Sequence, residues 1–167
     1  MNQSLIQVAL YVRDLLAYSE SLIKIGRDND TITDFTIDYI GVDSIGSARR
    51  LASGQKYDGV SEVMTHSQRW SAPIVLSFYG SSAWDNATRF SLLTKSQLSE
   101  DLQRLLNIQV KQVSQLTDVK ILTGQQFGER VELNFNLHYT ISADVDTLRI
   151  DTAQYSILTE NGLEIEP

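Results

Sequence analysis

Two histidines, a serine-rich turn, a run of aspartates and one basic patch are the side chains here that could do chemistry. His66 and His138 are the only imidazoles. Neither has a metal-type partner three or four residues on along a helix. His138 sits with Asn136 and Thr140 on a polar face and reads as a surface or interface histidine, and His66 lies in an irregular region. Serines are plentiful, but there is no Gly-x-Ser-x-Gly elbow to support a Ser/His/Asp triad. Gly80–Ser81–Ser82 opens a helical pattern, where free N–H groups could hold an anion. It lacks the Walker lysine and the three-glycine fingerprint, and reads as a plain strand-to-helix turn. Asp28, Asp30, Asp34 and Asp38 lack the glycine and terminal glutamate of an EF-hand, so they read as a solvated charged face. Asn86–Ala87–Thr88 matches a glycosylation sequon but falls inside a helical segment. No catalytic residue, cofactor or metal is expected.

Arg49, Arg50, Lys56 and Tyr57 form the one basic-aromatic patch. It carries too little positive charge for nucleic acid. Arginine and tyrosine do suit protein contacts. The whole chain holds 14 basic and 21 acidic residues, a net charge of −7. Such a chain has no reason to concentrate on phosphate backbones. With no cysteine, neither a disulfide framework nor a thiolate metal site is possible. The longest apolar runs fall far short of the ~20 residues a membrane-spanning helix needs, so no membrane partner is expected. The start, MNQSLIQVALYVRD, does not read as a signal peptide, because it lacks a basic leader and a small-residue cleavage site.

The elements that must position these residues follow from periodicity. In Arg130–Ser142, Val131, Leu133, Phe135, Leu137, Tyr139 and Ile141 alternate with polar residues. That is a long strand with one face committed to a core. Leu5, Val8, Val12, Leu15, Leu16, Tyr18, Leu22 and Ile25 predict a helix over 4–25, capped by Ser4 and ended by Gly26. Thr31–Ile40 is β-rich. A hairpin is expected over 47–66, turning at Ser53–Gly54–Gln55. Pro73 then starts a strand over Ile74–Tyr79. A helix follows over 82–106, with Ser82 and Asp85 as a variant capping box and a bend near Lys95–Ser96. Residues 108–127 read as an extended connection with a short strand at Asp118–Leu122. The C-terminal strands occupy 130–158, turning at Asp144–Asp146, and a loose acidic tail follows. At 167 residues and 42% hydrophobic, this suits a single domain with a proper core. The expected fold is α+β, a mostly antiparallel sheet with two main helices on one face.

Several stretches carry a family resemblance. In IVLSFYGSSAWDNATRFSLL a strand runs into a glycine and then a helix with spaced alanines. LLNIQV, SQLTDVKILTGQQFGERVELNFNLHYTISADVD and LRIDTAQYSI follow. This order resembles the tail terminator, or neck terminator, proteins of contractile-tailed phages and related prophages. The family's GxxxxxR-VELxFxLxY-like strand corresponds to Gly124–Tyr139. KYDGVSEVMTHSQRW is also similar, with Tyr57, Gly59 and Glu62 in place. The resemblance covers roughly residues 35–158.

The resemblance implies a structural virion protein at the head–tail neck, assembled in the bacterial host cytoplasm. It implies a ring, as a hexamer, that caps the tail tube, stops its polymerisation and offers a docking face to the head connector. It further implies a hold on the end of the sheath, and passage of DNA through the lumen without sequence-specific binding. The implied partners are other copies of the chain, tail tube protein and neck proteins. Arg49, Arg50, Lys56, Tyr57, Glu62, Asn134, Asn136 and His138 are the expected subunit or tube interface. Two alternatives stay open. One is a head-completion or adaptor protein of the same joint. The other is a small hydrolase or nucleotide-binding enzyme using the Gly80–Ser82 turn and one histidine.

Overall fold

A computed structural model describes residues 2–26, 37–119, 121–123, 126–146, 157–158 and 164–165. The chain opens with α1 (Asn2–Leu16), then β1 (Ile23–Ile25), β2 (Tyr39–Ser44), β3 (Arg49–Asp58) and β4 (Val63–Tyr79). Two helices follow, α2 (Ala83–Leu93) and α3 (Gln97–Leu105). The remaining strands are β5 (Ile108–Lys111), β6 (Thr117–Asp118), β7 (Ile121–Thr123), β8 (Gln126–Gly128), β9 (Arg130–Asp146), β10 (Ile157–Leu158) and β11 (Glu164–Ile165). The fold is α+β. Its main sheet runs β1-β2-β4-β9-β5, with β3 also on β4 and β6 also on β9. Only the β1–β2 pair in it is parallel.

The centre of the sheet is the antiparallel pair β4–β9, in register from Val63↔Asp146 to Tyr79↔Arg130. Val131, Leu133, Phe135 and Leu137 are buried on one face of β9, as their alternation predicts. Opposite them lie Phe78, Leu76, Ile74 and Ala72 of β4. The helices close over this face in a single core. Leu5, Val8, Tyr11, Val12, Leu15 and Leu16 supply the stripe of α1. Phe90 of α2 meets Tyr11 edge-on and lies against Phe78 and Phe135. Tyr11 also donates or accepts a 2.7 Å hydrogen bond with Ser99 of α3, so its buried hydroxyl is satisfied.

Several boundaries differ from expectation. The first helix stops at Leu16 instead of reaching Ile25. Ala17 takes a left-handed φ of 51°, and the Tyr18 N–H bonds the Arg13 carbonyl at 2.9 Å. That six-to-one closure ends a helix without glycine. Gly26 is left-handed, at φ 75°, but it ends β1. Ser4 is buried within α1 and does not cap it. The helix over 82–106 breaks into α2 and α3 at the anticipated bend, where the Ser96 hydroxyl accepts from the Ser99 N–H and donates to the Leu93 carbonyl. The described residues of 108–128 hold four short strands, not one.

The hairpin does not turn at Ser53–Gly54–Gln55. These residues pair with Gln68, Ser67 and His66, and the chain reverses at Gly59–Glu62 instead. Glu62 is left-handed there, at φ 57°, and the Asp58 carboxylate accepts from the Val60 N–H. A continuous ladder to β4 outweighs the local turn preference of Ser-Gly-Gln. Pro73 lies inside β4 and does not start it. It falls between the last partner of β3, Ser71, and the first partner of β2, Ile74, so neither ladder needs its absent N–H. Asp144–Asp146 is likewise no turn. It pairs with Thr65, Met64 and Val63, and the Thr65 hydroxyl donates to Asp144 at 2.7 Å. The expected strand at 148–158 lies outside the described residues except for β10, as do Thr31–Thr36 and most of the acidic tail.

Gly80 makes the corner between β4 and α2. Its φ is 92°, and a Cβ there would sit 2.1 Å from the Asp38 carboxylate and 2.8 Å from the Asp38 Cα. That carboxylate accepts from the Ser82 N–H at 3.1 Å. Asp38 therefore satisfies the start of α2. The expected capping box does not form, since Ser82 makes no side-chain cap. Gly80→Ala should destabilise the fold by about 1–3 kcal/mol from backbone strain alone. The displaced Asp38 adds to that. Thermal unfolding beside a Ser81→Ala control checks it, and equal melting of both variants would refute the tight corner.

Candidate assembly surface

The sheet outgrows its helices. Beyond Ala72 on β4 and Leu137 on β9 the helix-side face is progressively uncovered: Tyr139 still packs against the core and the Trp70 indole nitrogen is buried, but Gln68 and Ile141 further out are exposed. β3, residues 63–71 of β4 and residues 138–146 of β9 continue as a three-stranded arm. β3 is exposed at all ten positions, and Val60 at the tip is 96% exposed. Tyr57, Ile141 and Val145 lie about half exposed on the arm's helix-side face.

The sequence-predicted residues divide between the arm and the covered part of the sheet. Arg49, Arg50, Lys56 and Tyr57 are all on β3 and exposed. Strand alternation puts Arg49 and Lys56 on the polar face, and Arg50 and Tyr57 on the other. Glu62 is in the tip turn. Asn134, Asn136 and His138 form a row on the polar face of β9. Asn134 lies within the helix-covered span, where its backbone N–H and C=O bond the Ser114 hydroxyl and N–H.

Arg49 and His138 do come together, because both pair with Ser71 from opposite sides. Two further cations join them that single-strand reasoning missed, Arg69 and Lys111. Burial first, then the charges of Arg69, Lys111 and Arg49, holds the His138 imidazole below its usual pKa. A depression of about 490 Å³ opens beside this cluster, lined by Arg69, Arg104, Lys111, His138 and Glu100 among others. Only cross-strand register brings these residues together, and periodicity within one strand does not give register.

The possible catalytic constellation is not assembled. His66 lies on β4 itself and His138 pairs with its Ser71, so both stand far up the strand from the Gly80–Ser82 turn, roughly 30 Å or more at ~3.3 Å per residue. The anion place at the Gly80–Ser82 turn is taken by Asp38. Asp28, Asp30 and Asp34 lie outside the described residues. Among the described residues, no three His, Asp or Glu side chains converge in the manner of a metal site. No described helix is long and apolar enough to cross a membrane.

The family model of phage neck terminator proteins matches residues 4–161. The chain belongs to the phage neck terminator family. The match begins within α1, and so extends the resemblance read over 35–158 to the first helix. Neck terminators are structural proteins of the virion, and their interactions are with other neck and tail proteins. No curated protein matches the chain.

Proposed function

We propose that this neck terminator forms a ring, as a hexamer, on the last ring of the tail tube. There it stops polymerisation and presents a docking face to the head connector. The observation that carries this reading is the exposed three-stranded arm. A monomer gains nothing from seventeen-residue strands of which about half extends past its own core. Neighbouring subunits or the tube would bury what the helices leave bare. The polar face of β9, with Asn134, Asn136 and His138, lies opposite the helices. In a ring with its helices outside, that face lines the passage for DNA. The end of the sheath would be held on the outer side.

Particles assembled without this protein test the reading. Electron microscopy should show tails of irregular, often excessive length that carry no heads. Tails of normal length joined to heads would refute it.

A further inference from the structure

Among the described residues, the arm has two bare edges. Among the described residues, β3 pairs with β4 alone, so its outer edge carries no strand. On β9 the side away from β4 is covered from Arg130 to Tyr139 by β6, Ser114 and β5. From Thr140 to Asp146 no described strand covers it. Such edges are templates for pairing with another chain, and isolated proteins usually block them with proline, bulges or inward charges. Neither edge holds a proline, and the one register shift, between Arg50 and Ala52, sits at the root of the arm.

We propose that neighbouring copies join by strand addition: the β3 edge of one copy pairs with the Thr140–Asp146 edge of the next. This inference rests on the ring reading and specifies its seam. The two edges lie on opposite sides of one sheet. Joining them makes a heterologous, head-to-tail contact, the kind that closes into a ring and leaves no edge bare. A two-fold dimer through β3 would leave β9 open in both copies. β3 and β9 both run antiparallel to β4, hence parallel to each other. Rotation about a ring axis lying along the arm preserves strand direction, so the seam is a parallel ladder.

Charge supports the same pairing. In the span that would pair, β3 carries Lys56 and Asp58 and β9 carries Asp144 and Asp146, while Arg49 and Arg50 stand level with His138 and Tyr139, below the seam. Lys56 and Asp144 both pair with Thr65, so they stand at one height and on one face of the arm. With no stagger, Lys56 of one copy faces Asp144 of the next and has Asp146 as its diagonal neighbour. Asp58 would meet Asp146 only at the open tip, where solvent screens them.

The absence of cysteine makes the seam directly testable. Within one copy, positions 56 and 144 are two strand spacings apart, roughly 10 Å. A disulfide cannot bridge more than about 7 Å between Cα atoms, so any bond between them joins two copies. Lys56→Cys with Asp144→Cys should be oxidised free at high concentration and on assembled tail tubes. Non-reducing electrophoresis should then show a ladder of multiples ending at the closed ring, while each single-cysteine variant stays monomeric. A double variant that remains monomeric would overturn the seam, whether the edge is covered from within the chain or unused. So would single variants that cross-link as well as the double one, since that marks a two-fold contact. The mass of the unsubstituted protein on tubes reports the ring separately: rings without the disulfide would refute the seam and leave the ring standing.

Discussion

Phe135→Ala should destabilise the folded chain by about 3–5 kcal/mol, the range for deleting a buried aromatic ring. Phe135 is 3% exposed and sits where the two layers meet. Ile74 is its cross-strand partner, and the ring of Phe90 from α2 lies 6.4 Å away, centre to centre. Backbone hydrogen bonds pin β9 on both sides, so the sheet has little freedom to collapse into the vacated space. The neighbouring Asn134→Ala is the control. Its backbone bonds to Ser114 survive the change, and its Oδ1 is buried without a hydrogen-bond partner among the described residues, so truncation removes an unsatisfied acceptor. The asparagine variant should stay within about 1 kcal/mol of the parent. Urea unfolding of the two isolated subunits checks the contrast. Equal loss in both would mean that the faces of β9 are reversed.

The second large effect is on assembly. Arg49→Glu combined with Arg50→Glu should leave the subunit folded and abolish its binding to tail tubes. Both side chains are exposed, so they contribute little to monomer stability. One points to each face of the arm, so the pair of changes alters both surfaces at once. Like charges brought together across an interface cost several kcal/mol, enough to prevent association. Co-sedimentation with tubes and thermal unfolding of the free subunit measure the two halves of the prediction. A folded double variant that still sediments with tubes would remove this strand from the interface.

Much of the fold is readable where one strong period acts alone. The alternation in β9 marks its buried face residue by residue, and the break between α2 and α3 follows from the residues at 94–96. What escapes the sequence is decided by partners far along the chain. Ser53–Gly54–Gln55 has turn composition, yet a ladder to β4 holds it straight. Pro73 reads as a strand start until its place between two ladders is known. Ala17 ends α1 in a conformation for which glycine, nine residues on at Gly26, is the better advertisement. The same holds for the assembly surface. The basic side chains of β3 stand out in one dimension, whereas Arg69 and Lys111 join them only through the pairing of four strands.

The unbroken β4–β9 ladder also sets how the subunit bears load. Each strand runs seventeen residues from the arm's tip to the far end of the helix-covered sheet, about 56 Å at ~3.3 Å per residue. A pull along the arm acts parallel to the strands. It loads the whole row of hydrogen bonds in shear, so they share the force and do not unzip singly. Tension arriving at a tip thus passes into the core along backbone that is already extended and has almost no slack. The paired strands are therefore the part of the subunit least able to stretch, and strain along the arm is passed on to the core.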